Sequence, residues 1–469
     1  MLSRRPSDPR RTSLSRVPRL AAGLAVALAV LPGLAACSAP GGSGPAAGAS
    51  KTGGSVATNP ATAGKVTLTE WDQNTDPATD SATRALNAAF EHKYPNVHIV
   101  RVSRSFGDLK TTLKLGLSSA NPPDVVQVNQ GYPDMGAFVK AGLIQPLDRY
   151  ADVYGWKTAY PQQLLDLNRF SGNGRTWKTG NLYGISQTGE IVGIYYNKAQ
   201  LKALGLKPPA TLDDLTTGLA KAKAAGKLPL AFGDSDKIGA IHLFGVVQAL
   251  TAGKSAVRDL VFGAKGASWT DAGTVRAARI ISDWRKHGYL SPGWAGQTSD
   301  QAATQFGAGK SVFYLEGTWE AERVAKAMGA GNVGFTALSP TAGGAPVTEG
   351  GEGLAWAITG KSKHADVAAA YLNFLNGQKG MAQVASAGGL PALPPASYRP
   401  APGTVNADVL NTWHTVSTQD GLLPYLDYTT PTFFDTLTSG LQELLGGRQT
   451  PQQFTKALQG DDAAFQKSR

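Results

Sequence analysis

Short alternating stretches and longer segments of helical spacing take turns along the first part of this chain. "KVTLTEW" (65–71) alternates apolar and polar positions with a period of two, which predicts a strand. "DSATRALNAAFEHKYP" (80–95) places its apolar residues on one helix face and stops at Pro95. "NVHIVRVS" (96–103) returns to strand, "LKTTLKLGLSS" (109–119) is helical, and "PPDVVQVN" (122–129) is a short apolar run of the buried-strand kind. A further helix follows in "MGAFVKAGLIQPLDRY" (135–150), broken at Gly142. The order β-α-β-α-β predicts an α/β layer with a largely parallel sheet. Ligands in such sheets sit at strand tips and on the loops that follow them.

The N-terminus follows another pattern. Residues 1–19 carry Arg4, Arg5, Arg10, Arg11, Arg16 and Arg19 against Asp8 alone, and "LAAGLAVALAVL" (20–31) is uncharged. A basic start, a short apolar core and small residues before a cut mark a secretory signal over residues 1–36. The apolar core is too short to cross roughly 30 Å of hydrocarbon as a helix. A serine stands in "PRRTSLSR" where a twin-arginine signal usually has an aromatic, so the export route stays open. "LAAC" ends at Cys37, the only cysteine, and resembles a bacterial lipoprotein signal. That resemblance implies cleavage before Cys37 and lipid on its sulfur and amine. It accounts for a lone thiol in an oxidising compartment. Stable anchoring needs several acyl chains, at roughly 0.8 kcal/mol per buried methylene. Residues 37–64, rich in Gly, Ala and Ser, read as a flexible linker.

The remaining body, from about Lys65, is longer than one core normally spans, so two lobes are expected. The 469 residues hold 45 Lys and Arg against 34 Asp and Glu. Without residues 1–36 the balance falls to 39 against 33, and no basic run is interleaved with aromatics, so nucleic acid is not a predicted partner. His92, His98, His242, His287, His364 and His414 show no metal-ligand spacing, and no cofactor or metal is predicted. There is no G-x-S-x-G elbow. "TQFGAGKSVF" (304–313) imitates a phosphate loop, but Thr304 replaces its first glycine and the segment leads into a strand. Tyr195 and Tyr196 are neighbours on a predicted strand and face opposite sides, so they cannot share a ferric ion. One is expected against a helix and the other at a cleft.

"AFEHKYPNVHIV", "SSANPPDVVQVNQGYPDMGAFVKAGLIQPLDRY", "LYGISQTGEIVGIYYNKAQLKALGLKPPATLDDL", "QFGAGKSVFYLEGTWEA", "SKHADVAAAYLNFLNGQKG" and "LGGRQTPQQFTKALQ" occur in that order. Together, over essentially all of 65–469, they resemble the extracellular solute-binding proteins of ABC sugar importers, of the maltose-binding type. The resemblance implies an α/β fold of two lobes, each a mostly parallel sheet flanked by helices, joined by crossing strands and hinged around a ligand cleft. Lobe 1 would hold 65–187 and 337–378; lobe 2 would hold 188–336 and 379–469. It implies a monomeric, non-enzymatic receptor on the outer face of the cell membrane. That receptor would be lipid-anchored through Cys37 and would deliver a mono- or oligosaccharide to a permease.

Sugar recognition calls for flat rings against pyranose C–H faces and for carboxylates or amides directed at hydroxyls. On the loop after the first strand the candidates are Trp71, Asn74 and Asp76, and on the loop after "DVVQV" they are Asn129 and Gln130. Glu190 and Trp319 match family positions that accept sugar hydroxyls and form a stacking platform. Asp236, Glu352, Asp427 and Phe434 complete the set; Glu352 stands in "TEGGEGLAW", whose glycines admit close backbone approach. Two rival classes stay open. One is a binder of a peptide, polyol phosphate or chelate, and the other is a glycosidase with a carboxylate pair such as Glu190 and Glu352.

Overall fold

The computed structural model describes residues 55–468. Its strands are β1 (Val66–Asp72), β2 (Val97–Ser103), β3 (Val125–Val128), β4 (Arg169–Phe170), β5 (Asn181–Leu182), β6 (Gly189–Asn197), β7 (Leu228–Ala231), β8 (Ser311–Gly317), β9 (Val333–Thr336), β10 (Thr348–Glu352), β11 (Ala355–Ile358) and β12 (Leu422–Leu423). The first sheet runs β11-β3-β1-β2, with β1 parallel to β2 and β3, and β11 antiparallel to β3. The second runs β12-β10-β6-β8-β7, with β9 also paired to β6. Each sheet, with its helices, is one lobe.

Local sequence explains the first lobe directly. β1 alternates so that Val66, Leu68, Glu70 and Asp72 are buried. The two acids are tolerated inside because they are hydrogen-bonded. Glu70 accepts from Asn87 and Tyr371, and Asp72 takes two donors from Arg101 at 2.7 and 2.8 Å. Helix α1 (Pro77–Lys93) opens with proline at its first position, where the missing N–H costs nothing. It buries Ala78, Ala82, Leu86 and Phe90, four residues apart, and ends before Pro95. Full burial of Phe90 contributes roughly 1.5–3 kcal/mol. Helix α2 (Phe106–Ser118) is capped by Ser105 and buries Leu109, Leu113 and Leu117 by the same rule.

The second sheet departs from the expected mostly parallel arrangement. Three of its five pairings are antiparallel, all of them to β6. β6 leaves the crossing region running against its neighbours, a direction that hydropathy alone does not encode. Tyr195 and Tyr196 on β6 do face opposite sides, but both are buried and neither reaches a cleft. The Tyr195 hydroxyl donates to the Gly317 carbonyl, and Tyr196 lies over Gly334, where a Cβ would come within 2.1 Å of its ring.

Three segments pass between the sheets side by side. Gly189 N donates to Leu390 O, Ala392 N to Gln187 O, Gly353 N to Thr188 O, and Trp356 N to Ile185 O. This shifts the second boundary of the expected lobes. Residues 337–352 belong with the second sheet, because β10 pairs with β6, and the chain re-enters the first sheet only at β11. The helix Gln378–Ser386 packs on α1 and on the helix Ala365–Asn376, so it stays with the first lobe instead of passing to the second. The expected linker is also shorter. Pro60 is buried, and Asn96 Nδ2 donates to the carbonyls of Pro60 and Gly64, so 55–64 lies on the body. The leader and Cys37 lie outside the described residues.

The glycines of "EGGEG" serve the crossing. Gly350 has φ 153°, and a Cβ there would lie 2.3 Å from the Glu190 carbonyl oxygen and 2.8 Å from Ile191 Cα. Such a conformation strains an L side chain by about 1–3 kcal/mol before any clash is counted. Gly350→Ala is therefore expected to lower unfolding free energy by at least about 1–3 kcal/mol in a denaturant titration. Gly331→Ala, with open space around it, should stay within roughly 0.5 kcal/mol of wild type. Equal stability of the two variants would show that the crossing does not depend on Gly350.

Candidate functional site

A cavity of about 430 Å³ lies between the lobes. The first lobe lines it with the loops and helix starts after its strands: Gln73, Asn74 and Asp76 after β1, Ser105 with Phe106 and Asp108 of α2 after β2, and Asn129 after β3, with Gln127 on that strand. The second lobe supplies Glu190, Asp236, Ile241, His242, Asp300, Trp319, Glu320, Tyr425, Asp427, Tyr428 and Phe434. Strand tips thus furnish one wall, as doubly wound sheets arrange it.

Eight of the sequence candidates line this cavity: Asn74, Asp76, Asn129, Glu190, Asp236, Trp319, Asp427 and Phe434. Asp76 precedes α1 but does not cap it with its side chain, and its Oδ1 instead meets Arg323 of the opposite lobe at 3.2 Å. Asn74 Nδ2 donates to Thr83, and its Oδ1 accepts from Gln127. Asn129 lies 3.1 Å from the Tyr428 hydroxyl. Asp236 accepts from the Ser299 amide and hydroxyl at 2.9 and 2.6 Å. The Lys110 ammonium, paired to Asp134 at 2.6 Å, lies 4.7 Å from the Phe434 ring centroid. Trp319 is the one tryptophan of nine in the lining. Its ring lies over Gly317, where a Cβ would come within 2.0 Å of it.

Trp71, Gln130 and Glu352 lie elsewhere. Trp71 alternates away from its neighbours on β1, packs over Gly116 of α2, and carries the Arg104 guanidinium 4.0 Å from its ring. Gln130 is one residue past Asn129 and braces the crossing, donating to Gly353 O and accepting from the Tyr428 hydroxyl. Glu352, the last residue of β10, is buried and accepts from Asn168 at 2.5 Å. Of the carboxylate pair that the sequence offered for glycoside hydrolysis, Glu190 lines the cavity and Glu352 does not.

Residues 85–412 match the family described as bacterial extracellular solute-binding protein. The chain belongs to that family. It is 23% identical over 330 residues to the multiple sugar-binding protein of Streptococcus mutans, covering 70% of this chain and 75% of that one. A probable sugar-binding periplasmic protein of Mesorhizobium japonicum is 26% identical over 215 residues, 45% of this chain and 47% of that one. Among solved structures, a chitin oligosaccharide binding protein superposes with TM-score 0.73 at 23% identity, covering 86% of this chain and all of the other. A Bacillus licheniformis sugar transporter protein in complex with stachyose gives 0.65 at 18%, covering 85% and 100%. These structures share the two-lobed fold.

Pattern reading missed several groups that this solute-binding protein brings to the cleft. Tyr425 and Tyr428 flank Asp427 in "PYLDYTT", a polar-aromatic cluster between helices that could have flagged the loop. Asp300 and Glu320 have no signal beyond their charge. With Asp76 they bring carboxylate oxygens within 4.8 Å of one another, the one such group among the described residues. Arg323 reaches all three, at 3.2, 3.0 and 2.8 Å, so a guanidinium supplies the positive charge a metal would otherwise bring.

Burial governs the acids. It pushes the Glu190 carboxyl up to about 7, with the Tyr425 hydroxyl opposing and Asp76 adding to the rise. It pushes Glu320 up to about 8 against Arg323, Glu316 to about 8 against His242, and Glu352 to about 8 against Asn168. Each keeps its proton in the folded state over a range where the unfolded chain, near 4.5, has lost it. Their contribution to stability is fully present below pH 4.5 and is lost as pH rises to about 8. The ligand-free protein should therefore melt several degrees lower at pH 8 than at pH 5. A calorimetric Tm that rises across this range would contradict the buried-acid account.

Proposed function

We propose that this protein captures a neutral sugar, mono- or oligosaccharide, between its lobes and hands it, chemically unaltered, to the permease of an ABC importer. The observation that carries the reading is the union, in one interlobe cavity, of the Trp319 ring with acceptor groups on Asp76, Glu190, Asp236 and Asp427. A sugar needs both kinds of surface, and acceptors of this charge form the stronger hydrogen bonds to its hydroxyls. The same carboxylates would repel a phosphate, and the two basic groups nearby, Lys110 and Arg323, are already paired. The multiple sugar-binding relative and the stachyose-bound neighbour support the same class of ligand. In this reading the protein acts as a monomer without cofactor and without catalysis. It is tethered outside the membrane through lipid on Cys37, and the lobes close by hinge motion about the three crossing segments.

A thermal-shift screen over raffinose, xylotriose, chitotriose and galactose, with peptides, sugar phosphates and metal chelates alongside, tests this. A ligand at a hundredfold excess over Kd adds about 2.7 kcal/mol to the native state. Neutral sugars should raise the Tm, and shifts confined to peptides, phosphates or chelates would overturn the assignment. Trp319→Ala should weaken the sugar that binds by about thirtyfold, the cost of a buried aromatic anchor of about 2 kcal/mol. Its far-UV spectrum should be unchanged. Unaltered affinity would return this ring to a packing role.

A further inference from the structure

His242 stands four residues into the helix Gly239–Ala252, among Ile241, Leu243, Phe244, Val246 and Val247, all buried. A polar ring in so apolar a setting must be paired. Its Nδ1 lies 2.7 Å from Glu349 on β10, and its Nε2 lies 3.5 Å from Glu316 on β8. These two strands flank β6, so the helix presents the imidazole to both at once. Each carboxyl is nearly inaccessible, each leaves one oxygen without a partner, and neither has a Lys or Arg partner among the described residues. Gly245 lets the helix descend on Glu349, since a Cβ there would lie 2.1 Å from the carboxylate. The imidazole also touches the cleft wall. Its ring lies 5.3 Å from Trp319, which Gly317 backs from beneath, and 5.7 Å from Tyr425 in an edge contact.

We infer that His242 is a positioning residue for ligand capture: held by Glu349 and facing Glu316, its ring sets the angle at which Trp319 and Tyr425 meet the bound solute. The inference rests on the sugar reading above. Two buried carboxyls facing one imidazole would leave uncompensated charge if both ionised, so the group retains protons. Burial raises both carboxyls, Glu316 to about 8 and Glu349 well above the ordinary range, in keeping with shared protons. Asp427, Asp236, Glu320 and Tyr425 also face this group and add to its negative field. When alkaline solution removes the shared proton, charge is left beneath the platform and the rings lose their backing.

The test pairs wild type with His242→Gln and Glu349→Gln, each checked for an intact melting transition. In ¹⁵N-histidine spectra, the signal lost in His242→Gln should move when Glu349→Gln is introduced; an unmoved signal overturns the clamp. Calorimetric titration with raffinose, xylotriose, chitotriose and galactose between pH 6 and 9.5 reads the ligand side. His242→Gln should bind about tenfold or more weakly at pH 7. The alkaline fall in wild-type affinity should flatten in His242→Gln and shift in Glu349→Gln. A sugar that binds wild type and both variants alike, with one common pH profile, sinks the inference and leaves the sugar reading standing. If no sugar binds wild type, the sugar reading falls and takes the positioning role with it.

Discussion

Three stretches of chain lie side by side between two sheets, and their backbone groups must find partners in one another. Residues 185–189, 353–356 and 390–392 satisfy that requirement with five main-chain hydrogen bonds across a few residues. Every other feature of the cleft inherits its position from this narrow ribbon. Glu190 sits one residue beyond it on β6, and β10, which carries Glu349, enters it through Gly350 and Gly351. Gln130 and Ser186 both donate to the Gly353 carbonyl, so side chains reinforce the ribbon from the first lobe. A bulkier residue at Gly350 would therefore act on the ligand wall as well as on stability.

Two kinds of acid follow from where the ribbon leaves space. Asp72 and Glu70 lie inside the first lobe with strong donors, and their role is to seat Arg101 and the β1 loop. Asp427 is buried and Glu190 half-buried, and among the described residues the one donor that reaches the Glu190 carboxylate is a Tyr425 hydroxyl at 3.4 Å. A carboxyl removed from water and poorly satisfied by protein is costly. A ligand that brings hydroxyl donors relieves that cost, so the desolvation already borne by the empty cleft becomes affinity.

The parts of this architecture that local pattern governs were legible. β1, α1, β2, α2 and β3 follow from period-two and helical spacing with proline stops, and Asn74, Asp76 and Asn129 line the cavity because they follow those strands. Alternation also explains the misses. Trp71 is turned away from the cleft by one step along β1, and Gln130 by one step past Asn129. The glycines around Glu352 were read as admitting close backbone approach, and they do so where β10 pairs with β6, but Glu352 itself stays out of the cavity lining. His242 lay beyond such reading altogether. It sits in an apolar helix, and its partner Glu349 is 107 positions away, so its meaning appears only when the sheet order is known. The same holds for the antiparallel course of β6 and for the return of the chain at β11.

Arg323 shows which force decides between open and closed lobes. It joins Asp76 of the first lobe to Asp300 and Glu320 of the second, across the cleft. Its pair with Asp76 is about a quarter exposed on both sides, and pairs of that exposure contribute no more than about 1 kcal/mol. The guanidinium also meets two carboxylates of its own lobe, and those two pairs do not depend on contact with the first lobe. An ion pair of this strength can guide the lobes into register without holding them shut. Moving a two-state hinge from mostly open to mostly closed takes about 5.5 kcal/mol of differential binding. That difference must come from groups that touch solute in the closed form alone. A ring from the second lobe and carboxylates and amides from both are arranged to make such contacts, and this couples closure to occupancy.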